Sequence, residues 1–237
     1  MNLVITHLTR MQPGFICVAG IEPDTGKQIR PVLGRCLTRD LLRANGGAFE
    51  IGALVDLGPT TYVGRVPEFE DHRFSVKNLR HLRRLKPDHF WSCLTRTTSP
   101  CLTDLFGEGL QERDRSCTRP ANTGKASLGH FQPETISQFG VNFWGKLRTG
   151  FSDAHFHPEL SVTDLRLYSS DHQTVRIPMV ESIANRLPKT PAILAVGLTR
   201  AWQKDGDPAP RHWLQVNNIH LQEDPLGASF ESATAED

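Results

Sequence analysis

Paired cysteines are missing from this sequence. Its five thiols, Cys17, Cys36, Cys93, Cys101 and Cys117, are an odd number with no C-x-x-C spacing. That pattern excludes a disulfide framework and a zinc knuckle, so reduced thiols, mostly in the core, are expected. Long apolar runs are missing too, and with them any helical membrane span. The opening MNLVITHLTRM has no basic stretch leading into a long apolar segment, which is unlike a signal peptide, and a cytoplasmic protein is expected. Charge of one sign is also lacking: 27 Lys and Arg stand against 26 Asp and Glu, a net charge of +1. A histone-like coat is therefore excluded, because neutralising many phosphates needs a clear cationic excess.

Catalytic motifs are scarce. NTGKAS (122–127) has the look of a phosphate loop, but the first Gly of the Walker pattern is absent and Ala126 stands where Mg²⁺ would need a hydroxyl. His155 and His157 alternate on one side of a short segment without a third ligand at a telling distance, so no metal site is expected. His130 near Glu134 has no evident nucleophile beside it. No catalytic residue and no cofactor are assigned.

What is present is the punctuation of a mainly β protein with a few helices. LVITH (3–7), FICVAGIE (15–22), QIRPVL (28–33), IGALVDLG (51–58) and TYVGRV (61–66) read as strands, the second apolar on both faces and hence central. Asp24-Thr25-Gly26 reads as a hairpin turn, and a short helix opens at Thr38 and ends at Gly46-Gly47. Residues 75–110 read as mainly helical: Val76, Leu79, Leu82 and Leu85 recur every three residues within the basic KNLRHLRRLK, and Pro87 opens a helix. Such a basic stretch is either a solvated face or one that meets phosphate.

Residues 111–126 are polar and turn-rich and read as a junction. Strands resume at 142–151, 160–168, 174–178, 192–200 and 212–221, with a helix at 179–187. The second half thus repeats the first, about five strands and one helix, in the manner of compact barrels rather than a doubly wound sheet. The expected division is 1–110, a junction at 111–126, 127–224, and a disordered acidic tail at 225–237.

In HWLQVNNIHL (212–221) the apolar alternation changes parity midway. One bulge at Asn217-Asn218 restores Leu214, Val216, Ile219 and Leu221 to a core face and leaves Trp213, Gln215, an Asn and His220 opposite. Leu-Thr-Arg occurs four times, and its outer copies, at 8–10 and 198–200, each close a strand with an arginine.

The stretches VITHLTRM, CVAGIEPDTGKQIRPV, NTGKASLG, VTDLRLY, AVGLTRAW and HWLQVNNIHL together resemble the dual OB-containing domain family, associated with bacterial conflict and defence loci. The resemblance implies two OB-like β-barrels in tandem and recognition of nucleic acid or a nucleotide. OB barrels stack bases on aromatic side chains and track phosphates with Arg and Lys. On that basis Trp213, Trp202, Gln215, Asn217, Asn218 and Arg200 form the expected binding surface for single-stranded nucleic acid or a nucleotide, with Arg10 and Arg30 extending it. Equally open for the two Trp is a sealing role in a core or between halves, and for the arginines an ion pair across the halves. Two other classes stand beside the binding module: a nucleotide-processing enzyme whose site assembles only in three dimensions, and a scaffold for another defence protein.

Overall fold

The computed structural model describes residues 1–227. The first half holds β1 (Asn2–Arg10), β2 (Phe15–Ile21), β3 (Gln28–Val32), β4 (Leu37–Thr38), β5 (Ala53–Asp56), β6 (Thr61–Tyr62), β7 (Asp71–Arg73) and β8 (Arg80–Arg84). They form one curled sheet, ordered β6-β7-β3-β2-β1-β5-β8, with β4 added to β2. As its doubly apolar pattern requires, β2 is central. The Asp24-Thr25-Gly26 turn forms with Gly26 at φ 73°. The short helix after Thr38 is two 3₁₀ turns, closed by Gly46 in the left-handed conformation.

Then come α1 (Pro87–Arg96), β9 (Thr98–Ser99), α2 (Leu102–Phe106), β10 (Gln111–Arg113), β11 (Ser116–Pro120), β12 (Leu128–Phe131), β13 (Thr135–Val141), β14 (Leu147–Ser152), β15 (Glu159–Ser161), α3 (Ile177–Arg186), β16 (Ala192–Leu198) and β17 (Arg211–Leu221). Two further sheets result, ordered β10-β11-β17-β16-β12-β9 and β13-β14-β15. A parallel bridge between Val162 and Val216 joins them.

The expected helix across KNLRHLRRLK is corrected: after a 3₁₀ turn at Val76–Asn78 the segment is edge strand β8, antiparallel to β5. Leu79 and Leu85 are buried while Val76 and Leu82 are exposed, so the three-residue recurrence does not mark one buried face. Pairing with β5 overrides the local pattern. The polar 111–126 stretch contains the β10–β11 hairpin, which adds to β17. Of the thiols, only Cys117 is fully buried.

Two hydrophobic cores result. Leu102, Phe106, Leu110 and Cys117 belong to the second, alongside Leu214, Val216, Ile219 and Leu221. The first draws on distant chain: Leu165, Ile193 and Leu226 pack with Leu3, Ile5 and Phe90. The tail expected to be disordered from 225 is therefore corrected at its start, because burying Leu226 binds that segment to the first core; residues 228–237 lie outside the described residues. All seven residues of β16 are buried. One strand serves both halves, Ile193 facing the first core and Leu194, Val196 and Leu198 the second.

The seam between the halves is polar. The Asn218 Oδ1 accepts from the Leu8 N–H at 2.7 Å, tying β17 to β1 across 210 residues of sequence. His220 sets Nε2 3.0 Å from the Thr6 carbonyl and Nδ1 3.0 Å from that of Pro225. His7 and His130 lie with ring centroids 5.1 Å apart. All three imidazoles are buried, and desolvation is the main cause of their lowered pKa values: His7 falls to about 3, His220 to about 4, and His130 well below the ordinary value, each also repelled by neighbouring cationic or imidazole groups. Asp164, fully buried, receives Arg166 through both oxygens at 3.0 and 2.7 Å and the Ile219 N–H at 3.1 Å.

A second tie sits at the acidic segment Glu68-Phe69-Glu70-Asp71. Arg30 Nε donates to Asp71 at 2.5 Å, and Arg200 spans Glu68 at 2.7 Å and Asp71 at 2.8 Å. Glu70 accepts from Ser127 N, Ser127 Oγ and Leu128 N at 2.7, 2.8 and 3.1 Å. The loop that resembles a phosphate cradle is thus occupied by the protein's own carboxylate.

Candidate nucleic-acid interface

The bulge in β17 falls where the parity shift places it. Ala195 pairs with Asn218 and Val196 with Val216, leaving Asn217 as the extra residue. Its Nδ2 lies over Gly197, where a Cβ would come within 2.5 Å of that atom. Its Oδ1 holds the Gln215 amide at 2.9 Å.

Beyond the bulge toward the start of β17, Trp213 and Gln215 open onto a cavity of about 300 Å³. Trp202, Lys204, Arg148, Ser161, Thr199 and Asp114 also line it. The loop 199–211 is fixed at its base: Trp202 exchanges backbone hydrogen bonds with Arg211 at 3.1 and 3.0 Å, and Thr199 Oγ1 accepts from Trp213 N at 3.0 Å. Trp202, half exposed, tilts against Trp213 with centroids 5.7 Å apart and planes at 34°. Lys204 Nζ stands 5.6 Å from the Trp213 ring centre. The Trp213 Nε1–H is buried without a partner among the described residues. A buried donor left unpaired costs about 1 to 3 kcal/mol.

Both cations at the cavity have carboxylate neighbours. Arg148 lies 3.4 Å from Glu159 and donates to Ser161 Oγ at 2.8 Å. Lys204 pairs with Asp114 at 3.3 Å, with both side chains about half exposed or more. An exposed pair of that kind is worth no more than about 1 kcal/mol, so a phosphate can draw Lys204 away.

Three of the expected site residues, Trp202, Trp213 and Gln215, thus come together. The others have partners elsewhere in the structure. Asn217 and Asn218 are buried, one building the bulge and the other bonded to Leu8. Arg30 is buried against Asp71. Arg200 lies across Glu68 and Asp71 of the other half. Arg10 places its guanidinium 4.2 Å from the Tyr168 ring centre and donates to the His172 carbonyl at 3.2 Å. The outer Leu-Thr-Arg copies therefore each send an arginine into the opposite half. Lys204 and Arg148 were not expected. Their signals were a cation two residues beyond Trp202 and one inside a strand segment.

The sheets, the two cores and the aromatic cavity define the class: a mainly β protein built as two OB-like barrels in tandem. Among known families, the model described as the dual OB-containing domain matches residues 1–219, and the chain belongs to that family. No curated protein matches the sequence. Among solved structures it is similar to the tetrameric p202 HIN2, at 10% identity over 93% of this chain and 90% of that one, with a TM-score of 0.32. Among the described residues, no helix is long and apolar enough to cross a membrane, and no group of three or more His, Cys, Asp or Glu could hold a metal ion.

Proposed function

We propose that this protein is a binding module for single-stranded nucleic acid, working within a bacterial defence system as its family resemblance implies. One observation carries the reading: two tryptophans and a glutamine amide share a cavity with a releasable lysine. OB barrels bind single strands with this set, an aromatic plate for the base and cations for the backbone. Trp202 and Trp213 offer the plate. Gln215, held by Asn217, meets a base edge with its remaining amide atoms, and Lys204 meets the phosphate.

The test is a fluorescence-anisotropy titration of labelled single-stranded DNA and RNA at low salt. Trp213→Ala is expected to weaken binding by about 1 to 3 kcal/mol, the usual worth of a stacked base. Lys204→Ala should act on all sequences alike and flatten the salt dependence by about one unit. Each variant must keep the parent melting temperature. A parent that binds neither polymer at low salt defeats the proposal.

A further inference from the structure

The most exposed large apolar side chains among the described residues are Phe143 and Trp144, 95% and 77% exposed at the tip of the β13–β14 hairpin. Loose loops display such residues at an entropic cost on binding, but this turn is fixed. Asn142 Oδ1 accepts from Trp144 N at 3.1 Å and from Lys146 N at 3.0 Å. The Asn142 N–H donates to the Lys146 carbonyl, the Gly145 N–H donates to the Asn142 carbonyl, both at 2.9 Å, and Gly145 sits at φ 70°. The two rings are held edge to face, centroids 6.0 Å apart and planes at 85°. The hairpin therefore presents aromatic surface already ordered, which is what reduces the cost of binding.

Covering two exposed aromatics stabilises a complex, so the question is what covers them. Continuity answers it. Strand β14 leaves the tip and reaches Arg148, which lines the tryptophan cavity, four residues after Trp144. At a strand rise of about 3.3 Å per residue, that separation is no more than about 13 Å. Lys146, exposed and in no ion pair among the described residues, stands between them. Aromatic, cation, cation and aromatic cavity then follow one another from the hairpin tip along β14, the order in which a single strand needs them.

We infer that the Phe143–Trp144 tip is a second stacking station for the same single strand, extending its path beyond the Trp202–Trp213 cavity past Lys146. The inference rests on the proposed nucleic-acid reading, and oligonucleotide length separates the two. A short oligomer fills the cavity alone; a longer one reaches the tip.

The experiment titrates the full chain and its Trp213→Ala, Trp144→Ala and Phe143→Ala/Trp144→Ala variants with labelled oligothymidylates of about four and about twelve nucleotides, lengths at the low end and near the upper end of OB sites. Trp144→Ala is expected to weaken binding of the longer oligomer about tenfold and to leave the shorter unchanged; Trp213→Ala should weaken both. Both tip residues are exposed, so the melting temperature should stay at the parent value. Equal affinity of parent and double variant for the longer oligomer overturns the tip inference while leaving the cavity reading intact. Loss of self-association, or of binding to anionic vesicles, in the double variant with oligomer affinity unchanged assigns the tip to a second copy or a lipid surface and overturns it likewise. A parent that binds neither oligomer removes both readings.

Discussion

Acid should loosen this protein over a window set by the seam histidines. His7, His130 and His220 are neutral and buried where the halves meet, with pKa values lowered mainly by desolvation, to about 3 for His7 and about 4 for His220. In the unfolded chain each returns to the ordinary value near 6.5. Below pH 6.5 the unfolded state therefore holds more protons, so the stabilisation these groups supply is intact above that pH and lost as it falls, continuing down toward the folded values. One pH unit below the unfolded pKa, each histidine costs about 1.4 kcal/mol, and three cost about 4 kcal/mol. Against a total stability of about 5 to 15 kcal/mol, that is a large share. Melting temperature measured by circular dichroism should stay level between pH 8 and 7 and then fall steeply between about 6.5 and 5, before most carboxylates titrate. His220→Gln, which keeps a donor for one of the two seam carbonyls, should reduce the steepness by about a third. A melting temperature unchanged from pH 7 to 5, or a slope indifferent to that substitution, would refute the reasoning.

Other perturbations test the ties between the halves. Glu70→Ala strips Ser127 N, Ser127 Oγ and Leu128 N of their shared acceptor and should cost about 2 to 5 kcal/mol, read by urea denaturation; a cost under about 1 kcal/mol would show that the loop finds other partners. Leu226→Ala should cost about 2 to 5 kcal/mol, since Leu226 fills the first core from the far end of the described chain, and an unchanged midpoint would remove that residue from the core.

Much of the framework can be read directly from the residues. Gly26 and the doubly apolar β2 announce a hairpin and a central strand, and the parity change in β17 announces its bulge, because each depends on neighbours in sequence. Strand β13 is not legible: Thr135–Val141 is a largely exposed sheet edge, so it lacks the apolar alternation that a half-buried strand writes into sequence. KNLRHLRRLK misleads because leucines three apart fit a helix stripe, while β5 dictates a strand. For the site, Trp213 and Gln215 stand out as polar and aromatic residues opposite a core face, and Trp202 as an aromatic just past a strand end. Asn218 and His220 share that face, yet their partners are Leu8 and Thr6, more than two hundred residues away. Alternation tells which side a residue takes; it does not tell what waits there.

The placement of Ile193 and Leu226 within the first core governs how the chain is made. A barrel whose strands are complete by Arg84 emerges from the ribosome with its interior unfinished. At about 5 to 20 residues per second, the remaining stretch to Leu226 takes about 7 to 30 s to synthesise. During that interval Phe90 and the inner face of β1 lack the residues that finally enclose them, and the amino-terminal half completes its interior only when the chain is nearly finished.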